Sequence, residues 1–93
     1  MSEKSSSSET SQPPVNFSQF IVSLGSSALV HLGEIADPST GKSGVDLKLA
    51  RHTIDLLALL SEKTSGNLDD GERKLLDTLL FELRTKFVAA SRA

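Results

Sequence analysis

The chain contains 93 residues, carries a formal net charge of −2 and has no cysteine. This length allows one domain at most, and without cysteine neither a disulfide framework nor a thiolate metal site can form. Acidic and basic residues are mixed along the sequence without a block of Lys or Arg. This mixing argues against nucleic-acid binding, because contacts to phosphates need clustered cations.

The first 14 residues are rich in serine, end with two prolines and contain no large apolar side chain after the first residue. Such a segment cannot bury enough apolar surface to offset the entropy of ordering it. We therefore expect residues 1–14 to be a disordered tail and residues 15–93 to form a helical domain. Fewer than 80 residues then remain to fold, and at that size an oligomer often supplies part of the stability.

The first helix is predicted over residues 17–33, with Asn16 as its N-cap residue and Gly33 as its stop. Val15 and Phe20 have the spacing of a hydrophobic staple. The apolar residues of this helix fall on one stripe at helical spacing: Phe17, Phe20, Ile21, Leu24, Ala28 and Leu32.

Small side chains fill the middle of this first helix. Gly25 lowers helix propensity by roughly 1 kcal/mol relative to alanine, so a compensating contact is expected. We interpret Gly25 and Ala28 as the place where another helix approaches closely, either within the chain or from a second copy. The alternative is a glycine that the helix merely tolerates.

Residues 34–45 are predicted to be a loop, because an Asp-Pro pair and two glycines favour turns, with Ile35 as its anchor to the core. The sequence at 41–43, Gly-Lys-Ser, is similar to the end of a phosphate-binding P-loop. Ala36 occupies the position of the first required glycine, and no strand is predicted before it. Phosphate binding is therefore not expected from this match.

The second helix is predicted over residues 46–65, between the N-cap Asp46 and a stop at Gly66. Its polar side chains occupy an arc of about 120°, whereas a helix packed on one neighbour needs an apolar stripe of about 100° or slightly more. The remaining apolar arc is much wider, so we expect this helix to be central, with neighbours on two sides. Leu59 projects from the middle of the polar arc. That arc comprises Lys48, Arg51, His52, Asp55, Glu62 and Lys63.

The third helix is predicted over residues 69–90, because Asp69 and Glu72 have capping-box spacing. Its apolar face comprises Leu75, Leu76, Leu79, Leu80, Leu83, Phe87 and Ala90. Phe81 and Val88 lie on the opposite side, seven residues apart, and two apolar residues in register indicate a second contact surface.

No catalytic or metal-binding set of residues emerges from the sequence. His52 and Asp55 have the i, i+3 spacing that can place two ligands on one face, but a metal site usually needs three or four. His31 lies at the edge of the apolar stripe of the first helix, and nothing with ligand spacing joins it. We therefore predict no enzyme activity and no cofactor.

The longest apolar stretch, residues 17–32, is interrupted by serines and a glycine and is shorter than the roughly 20 residues of a membrane span. The N-terminus also lacks the apolar core of a signal peptide. We therefore predict no membrane insertion and a cytoplasmic location.

Three segments resemble a family of small bacterial proteins that is described only as a domain of unknown function: residues 26–33, 45–57 and 62–68. The resemblance covers nearly all of the predicted folded part. The resemblance implies a bacterial, cytoplasmic, helical protein. It implies no activity and no catalytic residues, because none is assigned to the family. Residues shared with the family pattern include His31, Arg51, Thr53 and Asp55.

The predicted fold is all-α, with three antiparallel helices: an N-terminal helix followed by a helical hairpin. The surplus apolar surface predicts a non-enzymatic interaction module that forms a homodimer or higher oligomer, with an unknown protein partner as a further interpretation. The candidate self-association residues are Gly25, Ala28, Leu59, Phe81 and Val88. The alternative function is binding of a nucleic acid or another anionic partner through the second helix. Its candidate residues are Lys48, Arg51, His52, Asp55 and Lys63.

Overall fold

The computed structural model describes residues 15–92, and within them the chain forms three α-helices and no β-strand. Helix α1 spans Phe17–His31, α2 spans Leu47–Lys63 and α3 spans Asp70–Ser91. The predicted all-helical class is confirmed, and the helix ends lie within two residues of their predicted positions. The predicted disorder of residues 1–14 lies outside the described residues.

Each helix begins after a polar N-cap residue whose side chain accepts a hydrogen bond from the backbone N–H three residues later. The distances are 2.8 Å at Asn16, 3.1 Å at Asp46 and 2.7 Å at Asp69. At α3 the backbone N–H of Asp69 also donates to the Glu72 carboxylate at 3.0 Å, which completes a capping box. Each cap stabilises its helix by about 1 kcal/mol, and these local signals explain why the helix starts were predictable.

The end of α1 is fixed by Gly33, which adopts a positive φ of 79°. The Gly33 N–H donates to the Val30 carbonyl at 3.0 Å, and the Glu34 N–H donates to the Leu29 carbonyl at 2.9 Å. These two bonds form a Schellman motif, in which a left-handed residue lets the chain leave the helix with its last carbonyls satisfied. The predicted stop at Gly33 is confirmed.

A single core lies between the three helices. Helix α2 packs on both α1 and α3, as predicted, and α1 and α3 also pack on each other. The buried apolar residues are Ile21, Ala28, Leu32, Ala50, Ile54, Leu57, Leu76, Leu80 and Leu83. Among the described residues, Thr53 is the one buried polar residue, and its hydroxyl donates to the Leu49 carbonyl at 3.0 Å.

Gly25 and Ala28 are both buried inside the chain. A Cβ atom placed on Gly25 would lie 3.3 Å from Cδ2 of Leu79, so α3 approaches α1 closely at this glycine. The expected close helix approach therefore occurs within the chain at Gly25, and Ala28 is buried in the core of the same chain. Neither residue contributes to the outer surface.

The hydrophobic staple predicted for Val15 and Phe20 is wrong, because Val15 is 99% exposed and Phe20 is 49% exposed. The buried face of α1 runs through Ile21, Gly25 and Ala28. Since Gly25 lets α3 approach on that side, the buried face is turned away from Phe20.

The prediction that Ile35 anchors the loop to the core is also wrong, because Ile35 is 43% exposed. The connection between α1 and α2 is held by backbone hydrogen bonds instead. The N–H of Asp46 donates to the His31 carbonyl at 2.7 Å, which joins the last residue of α1 to the residue that caps α2.

Candidate functional site

The side of α3 away from the core carries the most exposed aromatic side chain among the described residues. Phe81 is 73% exposed, and Val88, two turns further along, is 46% exposed. Asp77, Arg84 and Thr85 are exposed on the same side, because residues three, four and seven positions apart share one helix face. We call these five residues the Phe81 surface.

Phe81 stands between two hollows. The larger has a volume of about 490 Å³ and lies between the Phe81 surface and α2, where it is lined by Ala58 and Ser61. The smaller, of about 320 Å³, lies on the other side of Phe81 beside Glu82 and Lys86. Because Ala58 and Ser61 have small side chains, α2 leaves the space beside Phe81 unfilled.

Arg73 joins α3 to α2 through Ser61, one of the residues that line the larger hollow. Its Nη1 donates to the Ser61 hydroxyl at 2.9 Å, and its Nη2 lies 3.4 Å from the Ser61 carbonyl oxygen. Nη1 also lies 3.4 Å from Oδ1 of Asp77, one turn along α3. Arg73 was not predicted as a site residue from the sequence, although the i, i+4 spacing of Arg73 and Asp77 was an available signal. The contact to Ser61 depends on the packing of two helices and carries no local signal.

Leu59 is 48% exposed on α2 and is not among the residues that line the larger hollow. Leu49 and Leu56 are also exposed, at 46% and 37%. At about 100° per residue, these three leucines lie within one side of α2. They form a second exposed apolar strip. The role of Leu59 in self-association stays a prediction.

The five candidate partner-binding residues are all exposed on α2: Lys48, Arg51, His52, Asp55 and Lys63. Nε of Arg51 lies 4.0 Å from Oδ2 of Asp55, with both side chains at least 70% exposed. An exposed pair of this kind contributes little to stability. No group of three or more His, Asp or Glu side chains that could hold a metal ion occurs in the described part of the chain.

The loop that resembles part of a P-loop closes on itself instead of opening onto a helix. The Asp37 N–H donates to the Lys42 carbonyl at 2.8 Å, and Gly41 has a positive φ of 73°. In a P-loop the Gly-Lys-Ser sequence runs directly into a helix, whereas α2 begins at Leu47, after Ser43 and three further residues. The described geometry therefore does not match a phosphate cradle.

Asp37 has a lowered pKa because its carboxylate accepts two hydrogen bonds from Ser39. The Ser39 hydroxyl donates to Oδ1 at 2.7 Å and the Ser39 N–H donates to the same atom at 2.9 Å. The charge of His31 lowers the pKa of Asp37 further, and partial desolvation opposes these effects. This local turn accounts for the shift without a catalytic role.

The lowered pKa of Asp37 predicts a loss of stability in acid. The folded-state pKa lies below the ordinary value of 3.8, so the contribution is present above the unfolded-state pKa of about 3.9 and is lost as the pH falls through the folded value. Urea unfolding between neutral pH and about pH 3 should show this loss. Asp37→Asn keeps the Oδ1 acceptor but cannot ionise in this range, and it should show a smaller acid dependence. An unchanged acid dependence would contradict the assignment.

No helix within the described residues is long and apolar enough to cross a membrane.

Residues 14–89 match the family model described as Domain of unknown function (DUF1844). The match spans the three helices almost completely, with Phe81 and Val88 inside its limits. No curated protein and no solved structure matches the chain.

Proposed function

We propose that this chain, which belongs to the family described as Domain of unknown function (DUF1844), is a non-enzymatic module that associates with copies of itself. The observation that carries the proposal is Phe81, an aromatic side chain 73% exposed beside a hollow of about 490 Å³. Large aromatic residues are enriched at the centres of protein interfaces. An exposed aromatic side chain beside a hollow is therefore more typical of a protein contact surface than of a surface that only faces solvent.

The small size of the hydrophobic core supports the proposal on thermodynamic grounds. The described residues bury nine apolar side chains, and two of the nine are alanines. A single core in a chain this short rarely supplies more than about 3–5 kcal/mol of stability. Association of folded copies adds stability by mass action, so covering Phe81 and Val88 would strengthen a marginal fold.

The antiparallel course of the helices belongs to the same proposal. A short connection, residues 64–69, separates α2 from α3, and connections of a few residues favour antiparallel neighbours. The bond from Asp46 to the His31 carbonyl likewise keeps the end of α1 near the start of α2.

The proposed non-enzymatic character of the module is supported by the residues that line the larger of the two hollows beside Phe81. Ala58, Leu80, Phe81 and Val88 contribute apolar surface, and Asp77 is already paired with Arg73 at 3.4 Å. Asp37 has a shifted pKa, but it lies in the loop before α2, where Ser39 explains the shift. This arrangement is suited to contact and supplies no activated nucleophile or base. Bacterial origin and cytoplasmic location stay predictions from the family resemblance.

The alternative partner, a nucleic acid or another anion, would use the exposed cations of α2. Its support is weaker because Asp55 lies 4.0 Å from Arg51 and places a negative charge within the same arc. Titration with a duplex DNA at low salt separates the two proposals, since binding driven by phosphates weakens steeply as salt rises.

Light scattering coupled to gel filtration tests self-association directly. Over a dilution series from high to low micromolar protein, the average mass should move from twice the 9.9 kDa of one chain towards that of the monomer. A mass of 9.9 kDa at every concentration would contradict the proposal.

A further inference from the structure

Resting on the proposed self-association, we infer that two copies pair through their α3 helices about a two-fold axis. In this pairing, Phe81 of each copy enters the hollow of the other, beside Ala58 and Ser61. The occupant of the hollow is therefore a second copy of this chain.

The shape of the Phe81 surface is the first support. A two-fold contact uses the same patch on both copies, so the patch must be complementary to itself. Phe81 is a ridge with the larger hollow directly beside it. A rotation of 180° about an axis between Phe81 and the larger hollow places Phe81 of each copy over the hollow of the other. A surface with only a protruding side chain, or only a hollow, could not pair with itself in this way.

The spacing along α3 is the second support. Asp77, Phe81, Arg84 and Val88 follow one another at intervals of four, three and four residues, which is the spacing of the contact positions in paired helices. In an antiparallel pair centred between Phe81 and Arg84, Phe81 of one copy faces Arg84 of the other. A guanidinium group stacks favourably on an aromatic face.

Charge selects this antiparallel pairing over a parallel one. Asp77 and Arg84 lie on either side of Phe81 along the helix. In an antiparallel pair, Arg84 of one copy lies opposite Phe81 and one turn from Asp77 of the other, so opposite charges approach twice. In a parallel pair Asp77 would face Asp77 and Arg84 would face Arg84. Like charges placed together across an interface are strongly unfavourable.

The limited extent of the surface predicts a weak complex. The Phe81 surface and the two α2 residues of the hollow contribute seven residues per copy, compared with about 20–30 per side in a standard stable interface. We therefore expect dissociation in the micromolar range, where the equilibrium can be followed by sedimentation.

Charge reversal tests the geometry on the full chain. Asp77→Arg places positive charge on both sides of Phe81, and Arg84→Asp places negative charge there. Each variant alone should associate at least about tenfold more weakly than the unmodified chain. An equimolar mixture of the two should associate at least about tenfold more tightly than either alone, because one copy is then positive and the other negative. The double variant should regain self-association.

Control measurements separate a loss of folding from a loss of association. Because Asp77 also pairs with Arg73 on its own helix, circular dichroism should show that each variant remains helical. Lys48→Glu, a charge reversal on the exposed part of α2, should leave association unchanged. If the unmodified chain is monomeric throughout, the proposed function fails. If it associates but neither reversal weakens it, or the mixture is no tighter than the single variants, this pairing is overturned while self-association stands.

Discussion

Replacing Leu57 with alanine is expected to lower the free energy of unfolding by about 2–5 kcal/mol. Leu57 lies in the middle of α2 with 0% solvent exposure, in the cluster to which all three helices contribute. Removing its isobutyl group leaves a cavity that surrounding helices fill only partly, so both transfer energy and packing contacts are lost. Since a chain of this size has only about 3–5 kcal/mol from its core, the variant should lose most of its stability.

Leu59→Ala is the matched control, because it makes the same chemical change on the same helix at a side chain that is 48% exposed. Its effect should stay within about 0.5 kcal/mol. Urea unfolding followed by circular dichroism, at one low protein concentration, compares the two variants. If Leu57→Ala is unfolded without urea, Leu57→Met supplies the comparison, with an expected loss under about 1.5 kcal/mol. Equal losses at positions 57 and 59 would contradict the central position of Leu57.

The helices could be predicted because their signals are local. Asn16, Asp46 and Asp69 cap the next turn of their own chain, and Gly33 supplies the left-handed residue that ends α1. The apolar face of α3 follows from helical spacing alone. Leu76 illustrates this, since it is fully buried as predicted.

The sequence predicted a close helix approach at Gly25 and a central second helix, but it could not predict which residues of two helices meet. The exposed position of Phe20 follows from the approach of α3 at Gly25, where Leu79 would lie 3.3 Å from an added Cβ atom. The hollow beside Phe81 likewise needs Ala58 of α2 to lie next to α3. A single helix pattern gives the direction of each side chain, but it contains no information about which small residue faces which neighbour.

The substitution Phe81→Asp is expected to weaken self-association by at least about 2 kcal/mol, or roughly 30-fold, as is typical of a central aromatic residue in an interface. The change would remove the aromatic ring that fills the hollow of the second copy, and the carboxylate put in its place would lose part of its hydration there. Because Phe81 is 73% exposed, the fold of one chain should survive, with a loss limited to about 0.5 kcal/mol. Sedimentation equilibrium measures the first effect and urea unfolding the second.

Leu59→Asp distinguishes the two exposed apolar surfaces, because it introduces the same charge on α2. If α3 forms the contact, Leu59→Asp should leave the dissociation constant within about threefold, a difference below 1 kcal/mol. The opposite result, with Leu59→Asp disruptive and Phe81→Asp silent, would move the contact to the leucine strip of α2. Association also stabilises the folded state by mass action, so the urea midpoint of the unmodified chain should rise with protein concentration. Phe81→Asp should remove that rise, which ties the exposed aromatic to the stability of the small core.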